Sequence, residues 1–169
     1  MMKRIVLGLL IAATLGGMPA IVQGQAQSTL RIGLAEDPDM LDPTLSRTFA
    51  GRFVFAALCD KLFDLDEKLA IVPQLALTHE TSDDGKTVTL KLRPGVKFQD
   101  GEPVDAEAVR FSLDRHINLK DSMRRSELAV VNSVEVVDPL TVRMNLKTPF
   151  APLVAQLTDR AGMIVSPKA

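Results

Sequence analysis

Leu30, Ile32 and Leu34 alternate with Thr29, Arg31 and Gly33, and this period of two predicts a strand near the start of the chain. It runs into Glu36-Asp37-Pro38-Asp39-Met40-Leu41-Asp42-Pro43, where two prolines, each close behind an aspartate, predict an irregular loop. From Ser46 the spacing becomes helical. Phe49, Phe53, Ala56 and Ala57 predict a helix over Ser46–Leu58, with Ser46 as its N-cap and Gly51 as a weak point. The stretch KLFDLDEKLAIVPQLA then reads as a short strand, a polar turn and an extended segment that ends at Pro73.

The sharpest local signal is Asp84-Gly85, a hairpin turn flanked by threonines and other strand formers. After it Val88, Leu90 and Leu92 face one way and Thr87, Thr89 and Lys91 the other, as in a half-buried antiparallel strand. Pro94-Gly95 suits a type II turn, because proline fixes the first φ and glycine supplies the positive second one. Val96 and Phe98 share a side, and Asp100-Gly101 turns the chain again. Asp105 is a candidate N-cap for a helix whose stripe is Ala106, Val109, Leu113 and Ile117, opposite Glu107, Arg110 and Asp114. Val134 and Val136, then Val142, Met144 and Leu146, predict a second hairpin turned by Asp138-Pro139. A short helix beginning at Thr148 or Pro149 and a last strand in GMIVSP complete the pattern. Antiparallel pairs mixed with helices make a mixed α/β (α+β) fold.

The first residues do not fit this scheme. Met1-Met2-Lys3-Arg4 is basic, Ile5–Leu15 is almost entirely apolar, and Gly16-Gly17-Met18-Pro19-Ala20 breaks the run. Charge, apolar core and small residues in that order predict a signal peptide over residues 1–26, cleaved after Gly24 or Ala26. The apolar core is shorter than the roughly 20 residues a membrane span needs. No cysteine follows it, so a lipid-anchored form is not expected. Removing Lys3 and Arg4 from 20 basic residues against 21 acidic leaves a net charge of −3, which argues against nucleic acid as a partner. The chain is therefore expected to be periplasmic.

Little in the sequence points to catalysis. The only cysteine, Cys59, sits in an apolar stretch and reads as a small core residue. His79 and His116 have no metal-ligand neighbour at helical or hairpin spacing, and His116, late on its helix, reads as a packing residue. Asp64-Asp66-Glu67 and Asp83-Asp84 lie in turns, where solvated acids are ordinary, and the acidic loop around Asp42 lacks the spacing of a calcium loop. No nucleophile elbow, zinc-helix motif or phosphate-binding glycine loop is present. No catalytic residue, metal or cofactor is expected.

Taken together, SDDGKTVTLKLRPGVKFQDGEPVDAEAVRFSLDR resembles the family 5 extracellular solute-binding proteins of ABC importers, the peptide, oligopeptide and nickel class. The residues that carry the resemblance are Asp84-Gly85-Lys86, Leu92 through Arg93, Gly95 and Val96 to Phe98, Asp100-Gly101-Glu102-Pro103, and Ala106 through Val109 to Ser112. Leu41-Asp42-Pro43, DPLTVRMNLKTPFAPL and IVSPKA add to it, so that it covers Thr29–Ala169.

The resemblance implies a type II periplasmic-binding-protein-like fold, of which antiparallel hairpins with packed helices make up the part present. On that basis residues 27–46 are the first strand and loop of a split large lobe, and residues 47–169 are the smaller N-terminal lobe. The remaining lobes lie outside this chain. The implied function is to capture a peptide or related small solute and deliver it, as a monomer, to an inner-membrane permease whose ATPase is a separate protein. Glu36, Asp37, Pro38, Asp39 and Met40 map to the loop that approaches the ligand in the family. Asp84, Gly85, Arg93, Gly95, Phe98, Asp100 and Gly101 map to its architectural signature. The sequence departs from the family at three points: no Trp lies near His79, Gln99 stands where relatives often have His, and Ala108 where they commonly have Asp. Two alternatives remain open at this stage. One is a truncated, non-functional fragment with exposed apolar surface; the other is a secreted hydrolase or sensor module on a similar scaffold.

Overall fold

Val88, Leu90 and Leu92 are buried on an inner strand of a four-stranded antiparallel sheet. The structure is a computed structural model and describes residues 29–169, so the expected signal peptide lies outside the described residues. Leu34–Ala169 form one compact unit, and residues 29–33 belong to a separate N-terminal one.

Strands β3 (Ala76–Thr81) and β4 (Thr87–Leu92) form the first hairpin, and β5 (Val131–Asp138) and β6 (Thr141–Leu146) the second. Their order in the sheet is β3-β4-β6-β5. The register sets Val88 opposite Met144 and Leu90 opposite Val142, so the buried face of β4 continues onto β6. Helix α2 (Ala106–Asn118) packs Ala106, Val109 and Leu113 against that face. Asp105 caps it, accepting from the Ala108 amide at 3.0 Å, as the sequence predicts. β1 (Phe63–Leu65) and β2 (Ile71–Pro73) pair separately, joined by the turn in which Asp66 accepts from the Lys68 and Ala70 amides. On β5, Val136 is only half-buried, because the pairing slips on both sides of the stretch that contains it.

Four expectations are corrected. Residues 29–34 are irregular and exposed rather than a strand, because among the described residues no strand pairs with them to complete a ladder. Helix α1 spans Phe49–Leu58 and is capped by Thr48, whose hydroxyl accepts from the Gly51 amide at 3.1 Å; the Ser46 hydroxyl is directed to Asp39 instead. The buried face of α1 is Ala50, Gly51 and Phe55, which leaves Phe49 and Phe53 63% and 58% exposed. The expected last strand is a 3-10 turn over Arg160–Gly162 followed by a single bridge from Met163 to Lys61. There Gly162 passes so close to the Leu157 carbonyl that a Cβ would sit 1.9 Å from it, an approach incompatible with an extended strand. Helix α3 is reduced to Leu153–Gln156, starting after Pro152 rather than at Thr148 or Pro149.

Candidate functional site

The predicted ligand loop is tied to the start of α1 through one side chain. Asp39 accepts from the Ser46 hydroxyl at 2.7 Å, the Arg47 amide at 2.8 Å and the Thr48 hydroxyl at 3.1 Å. These donors, the Arg47 amide first among them, hold the Asp39 carboxyl well below the usual carboxylate range. Glu36 and Asp37 are exposed, Pro38 is half-buried, and Met40 is half exposed. The structure therefore holds Asp39, itself at the surface, in a cradle of three hydrogen bonds and leaves Glu36 and Asp37 in solvent.

A few residues on, the chain is fastened to α2. Burial opposes the charge on Asp42, but the Arg115 guanidinium and the Thr44 amide bring its pKa below the ordinary value. The Thr44 hydroxyl and His116 Nδ1 lie 2.9 Å apart, and His116 Nε2 is 3.0 Å from the Met163 carbonyl oxygen. A carbonyl oxygen can only accept, so Nε2 carries the proton and Nδ1 accepts from Thr44. His116 is fully buried, and that burial pushes its pKa down to about 4. The predicted packing role acquires a specific form: His116 bridges two distant stretches of chain.

Beside α1 lies an open groove of about 560 Å³. Its walls carry Arg52, Lys61, Asp64, Glu127, Gln156 and Asp159. Arg52 pairs with Asp159 and Lys61 with Asp64, each at 2.5 Å. Arg52 also stacks over the Phe49 ring at 5.5 Å, and Phe49 meets Phe53 edge-to-face at 5.2 Å. Gln156 Oε1 is buried and has no hydrogen-bond partner among the described residues. Burial raises the pKa of Glu127, which bonds Arg124 at 2.5 Å. Cations, carboxylates, an amide oxygen without a partner among the described residues, and apolar side chains line one groove, and such a lining can hold a small zwitterionic ligand.

The family-signature residues lie elsewhere. Asp84 accepts from Ser82 Oγ at 2.6 Å and the Lys86 amide at 3.0 Å, beside Gly85 at φ 67°. Arg93 Nε donates to the Gln74 carbonyl at 3.1 Å, and Gly95 has the positive φ, 76°, that its turn requires. Phe98 packs half-buried against the core. Asp100, next to Gly101, accepts from Ser166 Oγ at 2.5 Å. Sequence reasoning missed Arg52, Arg124, Glu127, Asp159 and Arg160. Arg52 sits between the phenylalanines of α1, where it reads as an exposed helix charge, and the other four fall in stretches without periodicity, where nothing marks the burial of Arg124 and Arg160. Among the described residues no three His, Cys, Asp or Glu side chains converge as a metal site, and no helix is long and apolar enough to cross a membrane.

Residues 70–169 match the family of bacterial extracellular solute-binding proteins, family 5 (middle part). The chain belongs to that family. It is 39% identical over 134 residues to the glutathione-binding protein GsiB of Pectobacterium atrosepticum, covering 79% of this chain and 25% of that protein. Among solved structures it resembles MoaA bound to mannopinic acid from A. tumefaciens R10, at 33% identity and a TM-score of 0.73 over 79% of this chain and 28% of that one. The Escherichia coli murein tripeptide binding protein MppA is similar at 25% identity and a TM-score of 0.72, over 80% of this chain and 30% of that one. The chain thus spans about a quarter to a third of the length of these relatives. These likenesses bear out the mixed α/β, type II periplasmic-binding-protein fold.

Proposed function

We propose that this chain is the N-terminal part of a periplasmic binding protein that captures a small peptide of the glutathione class and delivers it to the permease of an ABC importer. In this reading residues 27–46 belong to a larger lobe, residues 47–169 form a smaller one, and the protein works by binding rather than catalysis, as a monomer without a cofactor. Two features support it: membership of the solute-binding family and the glutathione-binding relative at 39% identity. The observation that carries it is the groove beside α1, whose walls bring Arg52 and Lys61 together with Asp64, Glu127 and Asp159 among the apolar Ala56, Leu65 and Met163. Glutathione offers complementary groups, two carboxylates, an ammonium and two amides, and charge-assisted hydrogen bonds to these are the strong ones. Clefts that hold such ligands combine apolar surface with a few placed polar groups. In this account the Glu36–Met40 loop, tied to the start of α1 through Asp39, adds to the ligand-facing surface.

Isothermal titration calorimetry with glutathione tests the reading, since the sequence has no Trp or Tyr to report by fluorescence. Saturable binding that weakens about tenfold or more in Arg52→Ala is the expected result, a loss of about 1.4 kcal/mol. Saturable binding of a metal chelate or mannopinic acid, with none of glutathione, would overturn it.

A further inference from the structure

Arg124 and Arg160 are only 5% and 7% exposed, and both reach the same atom. Arg124 Nη2 donates to the Ser46 carbonyl at 3.2 Å, and Arg160 Nη1 donates to it at 3.1 Å and to the Thr48 carbonyl at 3.4 Å. Arg124 follows α2 and Arg160 opens the 3-10 turn, so two separate parts of the chain converge on residues 46–48. The donors of those same three residues are the ones that hold Asp39.

We infer that Arg124 and Arg160 are positioning residues for the Glu36–Met40 loop: they clamp the carbonyl side of Ser46–Thr48, and so fix the cradle in which Asp39 anchors the loop. That the loop faces ligand rests on the function proposed above; the clamp itself does not.

Three observations carry the inference. First, burying a guanidinium costs several kcal/mol unless it is paired and fully hydrogen-bonded. Arg124 has Glu127 at 2.5 Å, but among the described residues neither arginine finds a partner for its buried Nε. Two imperfectly satisfied cations beside each other are a poor way to fill space that Met or Leu would fill more cheaply. Their grip on particular carbonyls is what they add. Second, the segment has no freedom on its helix side. A Cβ at Gly51 would lie 2.4 Å from Ser46 Oγ, so the first turn of α1 already presses on the serine whose hydroxyl meets Asp39. Third, the guanidinium is planar and rigid, and on Arg160 a single nitrogen, Nη1, bridges the Ser46 and Thr48 carbonyls, so the position of that one atom sets the spacing of both. A displacement of the 3-10 turn would thus move the Asp39 cradle, although the two are more than a hundred residues apart in sequence.

The test follows the Asp39 carboxyl by NMR in the 169-residue chain, together with hydrogen exchange of the Ser46–Thr48 amides, for Arg160→Met, Arg160→Lys and Arg124→Met. No ligand is added, so a failure to bind glutathione leaves the result intact. The clamp predicts that in all three variants the Asp39 titration rises toward the ordinary 3.8 and the 46–48 amides exchange faster, while β4 and β6 amides keep their protection. Arg160→Lys is decisive, because it keeps the charge but replaces the rigid planar guanidinium with a flexible stem that cannot hold a nitrogen fixed between the two carbonyls; it also decides the matter if the methionine variants unfold. Wild-type titration in Arg160→Lys would show that charge alone acts on Asp39 and overturn the inference. So would variants that lower Tm while leaving Asp39 and the 46–48 amides unchanged.

Discussion

Asp42 and Arg115 meet in a two-pronged ion pair across 73 positions of sequence, Nη2 to Oδ2 at 2.5 Å and Nη1 to Oδ1 at 3.0 Å. Each side chain is only about a quarter exposed, and the guanidinium also donates to the Thr44 hydroxyl. The pair fastens the loop that follows Asp39 to the outer part of α2.

Breaking that pair should destabilise the fold. Asp42→Asn removes the charge while keeping the shape and should cost about 1–3 kcal/mol in chemical denaturation, since it leaves a half-buried guanidinium unpaired. The folded pKa of Asp42 is depressed, so its contribution is present above the unfolded value and is lost as pH falls through the folded one. The wild-type advantage over Asp42→Asn should therefore shrink at pH below about 4.

His116 makes stability depend on pH in a higher window. Its pKa is about 4 folded, against 6.5 when unperturbed, so between these values the unfolded chain takes up the proton first. Stability should be full above about 6.5 and fall by about 3 kcal/mol as pH drops toward 4. The charged neighbours Arg115 and Arg124 push in the same direction as burial, and Asp42 opposes them. Urea titrations across this range should show the slope, and His116→Leu should flatten it.

Gly51→Ala would ordinarily stabilise a helix by roughly 1 kcal/mol. Here the added methyl would meet Ser46 Oγ at 2.4 Å and Thr48 Oγ1 at 3.3 Å. The expected outcome is destabilisation by about 1–3 kcal/mol, as in other overpacked sites. Ser46→Ala combined with Gly51→Ala should recover part of that loss, giving a non-zero coupling in a double-mutant cycle.

Leu69 adopts a left-handed conformation, φ 63°, at the tip of the β1–β2 turn, with its side chain 77% exposed. A leucine there bears strain of about 1–2 kcal/mol and gains little from burial. Leu69→Gly should therefore be neutral to about 1 kcal/mol stabilising in thermal unfolding, whereas glycine at most exposed sites lowers Tm.

The two hairpins of the main sheet and α2 were readable in the sequence because each carries its own instructions. Asp84-Gly85 and Asp138-Pro139 set the turns, Val88-Leu90-Leu92 sets the buried face, and Asp105 sets the helix start. Residues 29–34 have equally good alternation, but a strand also needs an edge to pair with, and that information is not local. The orientation of α1 was hidden for a related reason. Phe49 and Phe53 mark the apparent apolar stripe, yet Gly51 and Ala50 allow the closer approach to the core. The acidic loop could be located from its prolines, but not the capture of Asp39 by Ser46, Arg47 and Thr48. Still less legible were Arg124 and Arg160, whose burial is decided by contacts from opposite ends of the chain.

The most direct test of the account maps where glutathione touches the protein, by amide shift changes on titration of the 169-residue chain. The account predicts saturable shifts concentrated at Arg52, Gln156–Asp159 and the Glu36–Met40 loop. Shifts confined to another face, such as the β3–β4 hairpin around Asp84, or no saturable shifts at all, would contradict it.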